Sequence, residues 1–124
     1  MRSRAAARAL ALLALFLGGC EDPVTPRVCT AIAVDALNVT VLDAATGLRV
    51  CDARVSAIDG SFSVELRANP GPECSYSGPT ERPGRYQVEA TRSGYETAVV
   101  RDVAVTADEC HVIPVALTVR LNKP

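Results

Sequence analysis

From Leu37 to the C-terminus the apolar residues recur every second position, a period that belongs to half-buried β-strands and to little else. Leu37, Val39 and Val41 alternate with Asn38, Thr40 and Leu42. Cys51, Ala53, Val55 and Ala57 alternate with Asp52, Arg54 and Ser56, and Phe62, Val64 and Leu66 with Ser63, Glu65 and Arg67. Between these runs stand Asp43-Ala44-Ala45-Thr46-Gly47 and Asp59-Gly60, both turn chemistry, the second a strong hairpin signal. The three runs are therefore expected to form a meander. Alternation resumes with Tyr86, Val88 and Ala90, and Ser93-Gly94-Tyr95 marks a further turn. Val99, Val100, Val103 and Val105 supply a strand whose period slips at Arg101-Asp102, which predicts a bend or bulge there. Ile113, Val115, Leu117, Val119 and Leu121 alternate without error, and Pro114 predicts an edge position or a bulge near the start of that strand. Residues 68–84 hold four prolines and three glycines, so they are expected to lack regular structure. No helical period follows residue 20. The runs count six or seven strands, all β, most simply stacked as a two-sheet sandwich.

The N-terminus has a different character. Arg2, Arg4 and Arg8 precede an unbroken apolar run from Leu10 to Leu17, too short to span a bilayer, and small residues follow. That is the layout of a secretory signal peptide. Leu17-Gly18-Gly19-Cys20, an aliphatic residue, two small residues and a cysteine, resembles the lipobox of bacterial lipoproteins. The resemblance implies cleavage before Cys20 and a diacylglycerol on its sulfur, which would tether the protein to a membrane. The chain then divides into a signal peptide over 1–19, the acylated Cys20 with a short linker over 20–28, and a β-sandwich domain over 29–124. Pro23 and Pro26 keep the linker extended, with a reach on the order of 25 Å. Glu21, rather than aspartate, after the cysteine resembles the outer-membrane side of the lipoprotein sorting rule.

Without the signal peptide the chain keeps ten basic and 14 acidic residues. That mildly acidic balance argues against nucleic acid or anionic lipid as the main partner. Tryptophan is absent and aromatics are few, so no stacking platform for bases or sugars stands out. Four cysteines follow Cys20, namely Cys29, Cys51, Cys74 and Cys110. An even number in a small exported domain predicts two disulfides. A metal site has little support, since no Cys-x-x-Cys occurs and the one histidine, His111, adjoins Cys110. No cofactor signature is present.

Candidate chemistry is sparse. A nucleophile needs a neighbouring base, and His111 reads more simply as an exposed residue at a strand start. Asp102, Asp108 and Glu109 lack the close oxygen spacing and glycine of a calcium loop. Asn38-Val39-Thr40 fits a glycosylation sequon but falls inside a strand of a chain with a bacterial export signal. Tyr76 with Glu81-Arg82 could form a recognition surface; ordering of the loop by a Cys74 staple is the plainer reading.

A strand ending in Asp43-Ala44-Ala45-Thr46-Gly47 leads in sequence to Asp59-Gly60-Ser61-Phe62, Pro83-Gly84-Arg85-Tyr86-Gln87-Val88, Gly94-Tyr95 and Val103-Ala104-Val105. Over residues 35–121 this series resembles the carboxypeptidase regulatory-like domain, a seven-stranded transthyretin-like β-sandwich. The added cysteines, with Asp108-Glu109-Cys110-His111-Val112, look like a lipoprotein branch of it. The resemblance implies a fold without catalytic residues. The enzyme of that fold, 5-hydroxyisourate hydrolase, carries two histidines, an arginine and a C-terminal Tyr-Arg-Gly-Ser. This chain has one histidine and ends Leu121-Asn122-Lys123-Pro124. In transthyretin-like sandwiches the first and last strands lie side by side and parallel, which implies Cys29 beside Cys110. The Asp59-Gly60 hairpin brings the chain after Leu66 back towards Cys51, with Cys74 in reach, so Cys51–Cys74 is the expected partner pair. The expected function is a non-enzymatic binding or support module for an envelope protein or glycan. The rival is an envelope enzyme with a site in residues 68–84, which a pocket with convergent polar groups would favour over a smooth sandwich.

Overall fold

The alternating runs become eight strands in the computed structural model, which describes residues 28–124. They are β1 (Asp35–Asp43), β2 (Arg54–Asp59), β3 (Phe62–Glu65), β4 (Arg67–Ala68), β5 (Tyr76–Thr80), β6 (Gly84–Thr91), β7 (Ala98–Val105) and β8 (Val115–Leu121). No helix occurs among the described residues. One sheet has the order β4-β5-β1-β8 and the other β3-β2-β6-β7. The two enclose one core, to which Leu37, Val39, Val41 and Val119 come from the first sheet and Val55, Ala57, Val88 and Val105 from the second. The architecture is all-β and sandwich-like. The alternation explains it: each strand turns one set of residues inward and the other to solvent.

The strand count is eight rather than seven, and the extra strands come from the stretch expected to be irregular. Residues 68–84 contain β5, which pairs antiparallel with β1. Its proline is accommodated by the register. Asp35 pairs with Thr80 and Leu37 with Gly78, so no ladder pair calls on Pro79, which has no N–H to give. Tyr76 supplies the missing core weight in this otherwise polar strand, at 1% exposure.

The expected meander is also corrected. β2 and β3 form a hairpin through Asp59-Gly60, but β1 belongs to the opposite sheet. The chain folds back along β1 only briefly, where Leu42 bridges Arg49 and Val50 N–H donates to the Val41 carbonyl at 2.8 Å. It then crosses to the second sheet before Arg54. Alternation tells which way a side chain faces; it does not tell which strand lies alongside. Leu66 marks a second crossing, its N–H bonded to Val55 in one sheet while β4 joins the other.

The predicted irregularity in β7 is a β-bulge. Tyr86 pairs with Val103 and Val88 with Val100, so three steps on β7 face two on β6, and Asp102 takes a positive φ of 58°. β8 lies at a sheet edge, parallel to β1 from Leu37–Val115 to Asp43–Leu121. Pro114 stands just before it, outside the ladder. The strand is shorter than the alternating run, and Ile113 is half exposed.

Candidate functional site

The parallel pairing of β1 and β8 starts both strands at one end of the molecule, and the segments leading into them meet there. Cys29 is disulfide-bonded to Cys110, with their Cα atoms 5.2 Å apart. Cys51 is bonded to Cys74 at a Cα separation of 5.3 Å, beside the part of β1 where Val50 bonds Val41 and Tyr76 pairs with Val39.

At the first of these ends the loop before β8 is built by Asp108. Its Oδ1 accepts the N–H groups of Cys110 and His111 at 2.8 and 2.9 Å, and its own N–H donates to the His111 carbonyl. This is the turn that aspartate forms with the backbone just after it. It holds His111 towards Glu81, which sits in a left-handed conformation (φ 48°) just past β5.

Glu81 ties three segments together. Its Oε2 accepts the N–H of Val34 at 3.0 Å, its Oε1 accepts the N–H of Val112 at 3.0 Å, and Nδ1 of His111 lies 2.5 Å from Oε2. The Glu81 N–H donates in turn to the Val34 carbonyl. On the far side of the ring, Nε2 of His111 is 2.9 Å from Oγ1 of Thr30. The His111 bond, followed by that of Val112, holds the Glu81 carboxyl below the usual carboxylate range. An ionised carboxylate only accepts, so Nδ1 carries a proton; in the neutral ring Nε2 is then the acceptor for the Thr30 hydroxyl.

The three side chains line an open groove of about 450 Å³ whose other walls include Ile32, Pro83 and Ala107. The His111 and Glu81 side chains are only 22% and 32% exposed. Chemically the row can pass a proton from hydroxyl to imidazole, with the carboxylate orienting the ring and stabilising its charged form.

Several sequence expectations change against this geometry. His111 is not an exposed residue at a strand start; it is half-buried and bonded through both ring nitrogens, four residues before β8. Tyr76 is no part of a recognition surface. It is a core residue whose hydroxyl donates to the Val50 carbonyl at 2.8 Å and accepts the Ala53 N–H at 3.0 Å. Arg82 packs over the Phe62 ring at 3.7 Å and pairs with Asp59 at 3.1 Å. Asp102 belongs to the β7 bulge and is not gathered with Asp108 and Glu109, and no group of three or more potential metal ligands occurs among the described residues. Cys20 and the segment before it lie outside the described residues. Thr30 was not singled out by the sequence, and nothing near it signals a role: its bond to His111 reaches across 81 positions.

Compared with known proteins, the chain matches no family model and no curated protein.

Proposed function

We propose that this chain is a lipid-anchored lipoprotein of the bacterial cell envelope, its sandwich a non-enzymatic binding or support module for a neighbouring envelope protein or glycan. One observation carries the reading: Leu17-Gly18-Gly19-Cys20 stands at the end of a signal-like segment and directly before a domain closed by two disulfides. Disulfides persist in oxidising compartments outside the cytosol, which agrees with export. The parallel β1–β8 pair and the four-on-four arrangement are in keeping with a transthyretin-like, carboxypeptidase regulatory-like fold. Glu21 favours the outer membrane. Metabolic labelling with a palmitate analogue is the test. Wild-type protein takes up the label and Cys20→Ala accumulates as an unlabelled precursor; an unlabelled wild type ends the lipoprotein reading.

One observation favours a second reading, an envelope enzyme. The groove holds the convergent polar groups that a smooth support module lacks, with Glu81, His111 and Thr30 in hydrogen-bonded series. Such a site would draw only Glu81 from residues 68–84, near their end, and take His111 from the loop before β8 and Thr30 from the segment before β1.

A further inference from the structure

We infer that Thr30 is the nucleophile of an acyl-transfer site that hydrolyses short carboxylic esters, with His111 as its general base and Glu81 as the group that orients His111. The inference rests on the second reading above and names its chemistry.

Three features of the geometry carry it. The hydroxyl oxygen and Nε2 are 2.9 Å apart, within the range for proton transfer from a nucleophile to its base. The carboxylate engages the other ring nitrogen, Nδ1, so the proton-accepting nitrogen faces Thr30 and the opposite edge is tethered. Glu81 is itself fixed by two backbone N–H groups from different segments, Val34 and Val112. The ring therefore cannot swing without breaking its bonds to Glu81 and Thr30. Thr30 is secured as well, because its neighbour Cys29 is bonded to Cys110, the neighbour of His111. Two adjacent pairs thus hold the hydroxyl and the imidazole in register, one pair covalently.

The groove narrows the substrate class. It is open to solvent, and apolar Ile32 and Pro83 line it for a short acyl or alkyl group. In the reaction, Oγ1 of Thr30 bonds to the ester carbonyl carbon as its proton passes to Nε2. The carbon–alkoxide bond then breaks, and the leaving alcohol takes that proton from His111. Water attacks the acyl-threonine, giving one proton to Nε2. The carbon–Oγ1 bond breaks, the acid departs, and the proton returns to Thr30.

The test uses the full chain with both disulfides intact and a biotinylated fluorophosphonate, which traps activated hydroxyls and carries no charge at its reactive centre. The adduct is mapped by mass spectrometry. It is expected on Thr30, to persist in Thr30→Ser, and to form at least about 100-fold more slowly in His111→Gln. Thermal melts of each variant establish folding, and wild-type labelling is decisive even if one variant fails to fold. A folded wild type without an adduct on Thr30, or a labelling rate unchanged by His111→Gln, overturns the inference. Hydrolysis of 4-nitrophenyl acetate separates the two levels of failure. Loss in His111→Gln with retention in Thr30→Val means that His111 activates water directly; this removes Thr30 as nucleophile and leaves an enzyme. Wild-type hydrolysis no faster than that of free imidazole removes both.

Discussion

Asp43, the last residue of β1, holds a corner of the sandwich with one carboxylate. Its Oδ1 accepts the N–H groups of Ala45 and Thr46 at 2.8 and 2.9 Å, and the Tyr95 hydroxyl donates to Oδ2 at 2.6 Å. The tyrosine first, then the Thr46 N–H, bring its pKa from the usual 3.8 down to about 2. A carboxyl whose folded pKa lies below its unfolded value binds fewer protons when folded. It therefore adds stability above about pH 4 and loses that contribution as pH falls through about 2. Glu81 has a shift of the same sign at the other end of β1. Tyr95→Phe removes the larger cause. The Asp43 carboxyl should then titrate closer to the usual value by NMR, and the variant's melting deficit at pH 7 should shrink on acidification towards pH 2. A deficit that is constant with pH would assign the tyrosine's contribution to ring packing alone. The turn at Asp43 was legible, since Asp43 and Gly47 are local and Gly47 takes a positive φ of 73°. Its tyrosine was not, because it comes from 52 positions away.

At the scale of elements, β8 offers the cleanest check on register. Val119 is 2% exposed and packs in the core opposite Val41, whereas Thr118 faces solvent beside Thr40. Val119→Asp places an unpaired charge among valines and leucines and should cost about 3 kcal/mol or more. Thr118→Asp, one residue earlier, should cost less than about 1 kcal/mol. Urea denaturation distinguishes them, and a lower midpoint for Thr118→Asp than for Val119→Asp would mean a register shifted by one residue, which exchanges the two faces. The β7 bulge could be anticipated because an extra residue breaks a period of two. β5 could not. Tyr76-Ser77-Gly78-Pro79-Thr80 has turn composition, and it becomes a strand because β1 offers a ladder at its side and Tyr76 a place in the core.

For the molecule as a whole, the two disulfides divide the work by loop length. Cys29–Cys110 spans 81 positions and Cys51–Cys74 spans 23. Restricting the unfolded chain gives about 4–5 kcal/mol for the longer closure and about 3–4 for the shorter. The Cys29→Ser/Cys110→Ser pair should therefore melt lower than Cys51→Ser/Cys74→Ser, as calorimetry would record. The reverse order would show that local packing around Cys74, which is buried, outweighs the chain term. Loss of the longer staple should also free the segment before β1, which would abolish any labelling of Thr30 while leaving the two sheets assembled.

Much of this protein follows from short-range pattern. A period of two with turn residues between determines that the domain is β, that Asp59-Gly60 turns a hairpin, that β7 is irregular, and that the last strand can lie at an edge. These features depend on neighbours within a few positions, and the backbone geometry of a strand writes them directly into the spacing of apolar residues. Tertiary structure alone decided which sheet each strand joins, that a proline-rich stretch contributes a strand, and that Thr30, Glu81 and His111 meet. Those outcomes depend on pairing between segments 30 to 80 positions apart, where the free energy of a shared ladder and core outweighs local preference. A single residue type at each of three distant positions leaves no periodic trace to read.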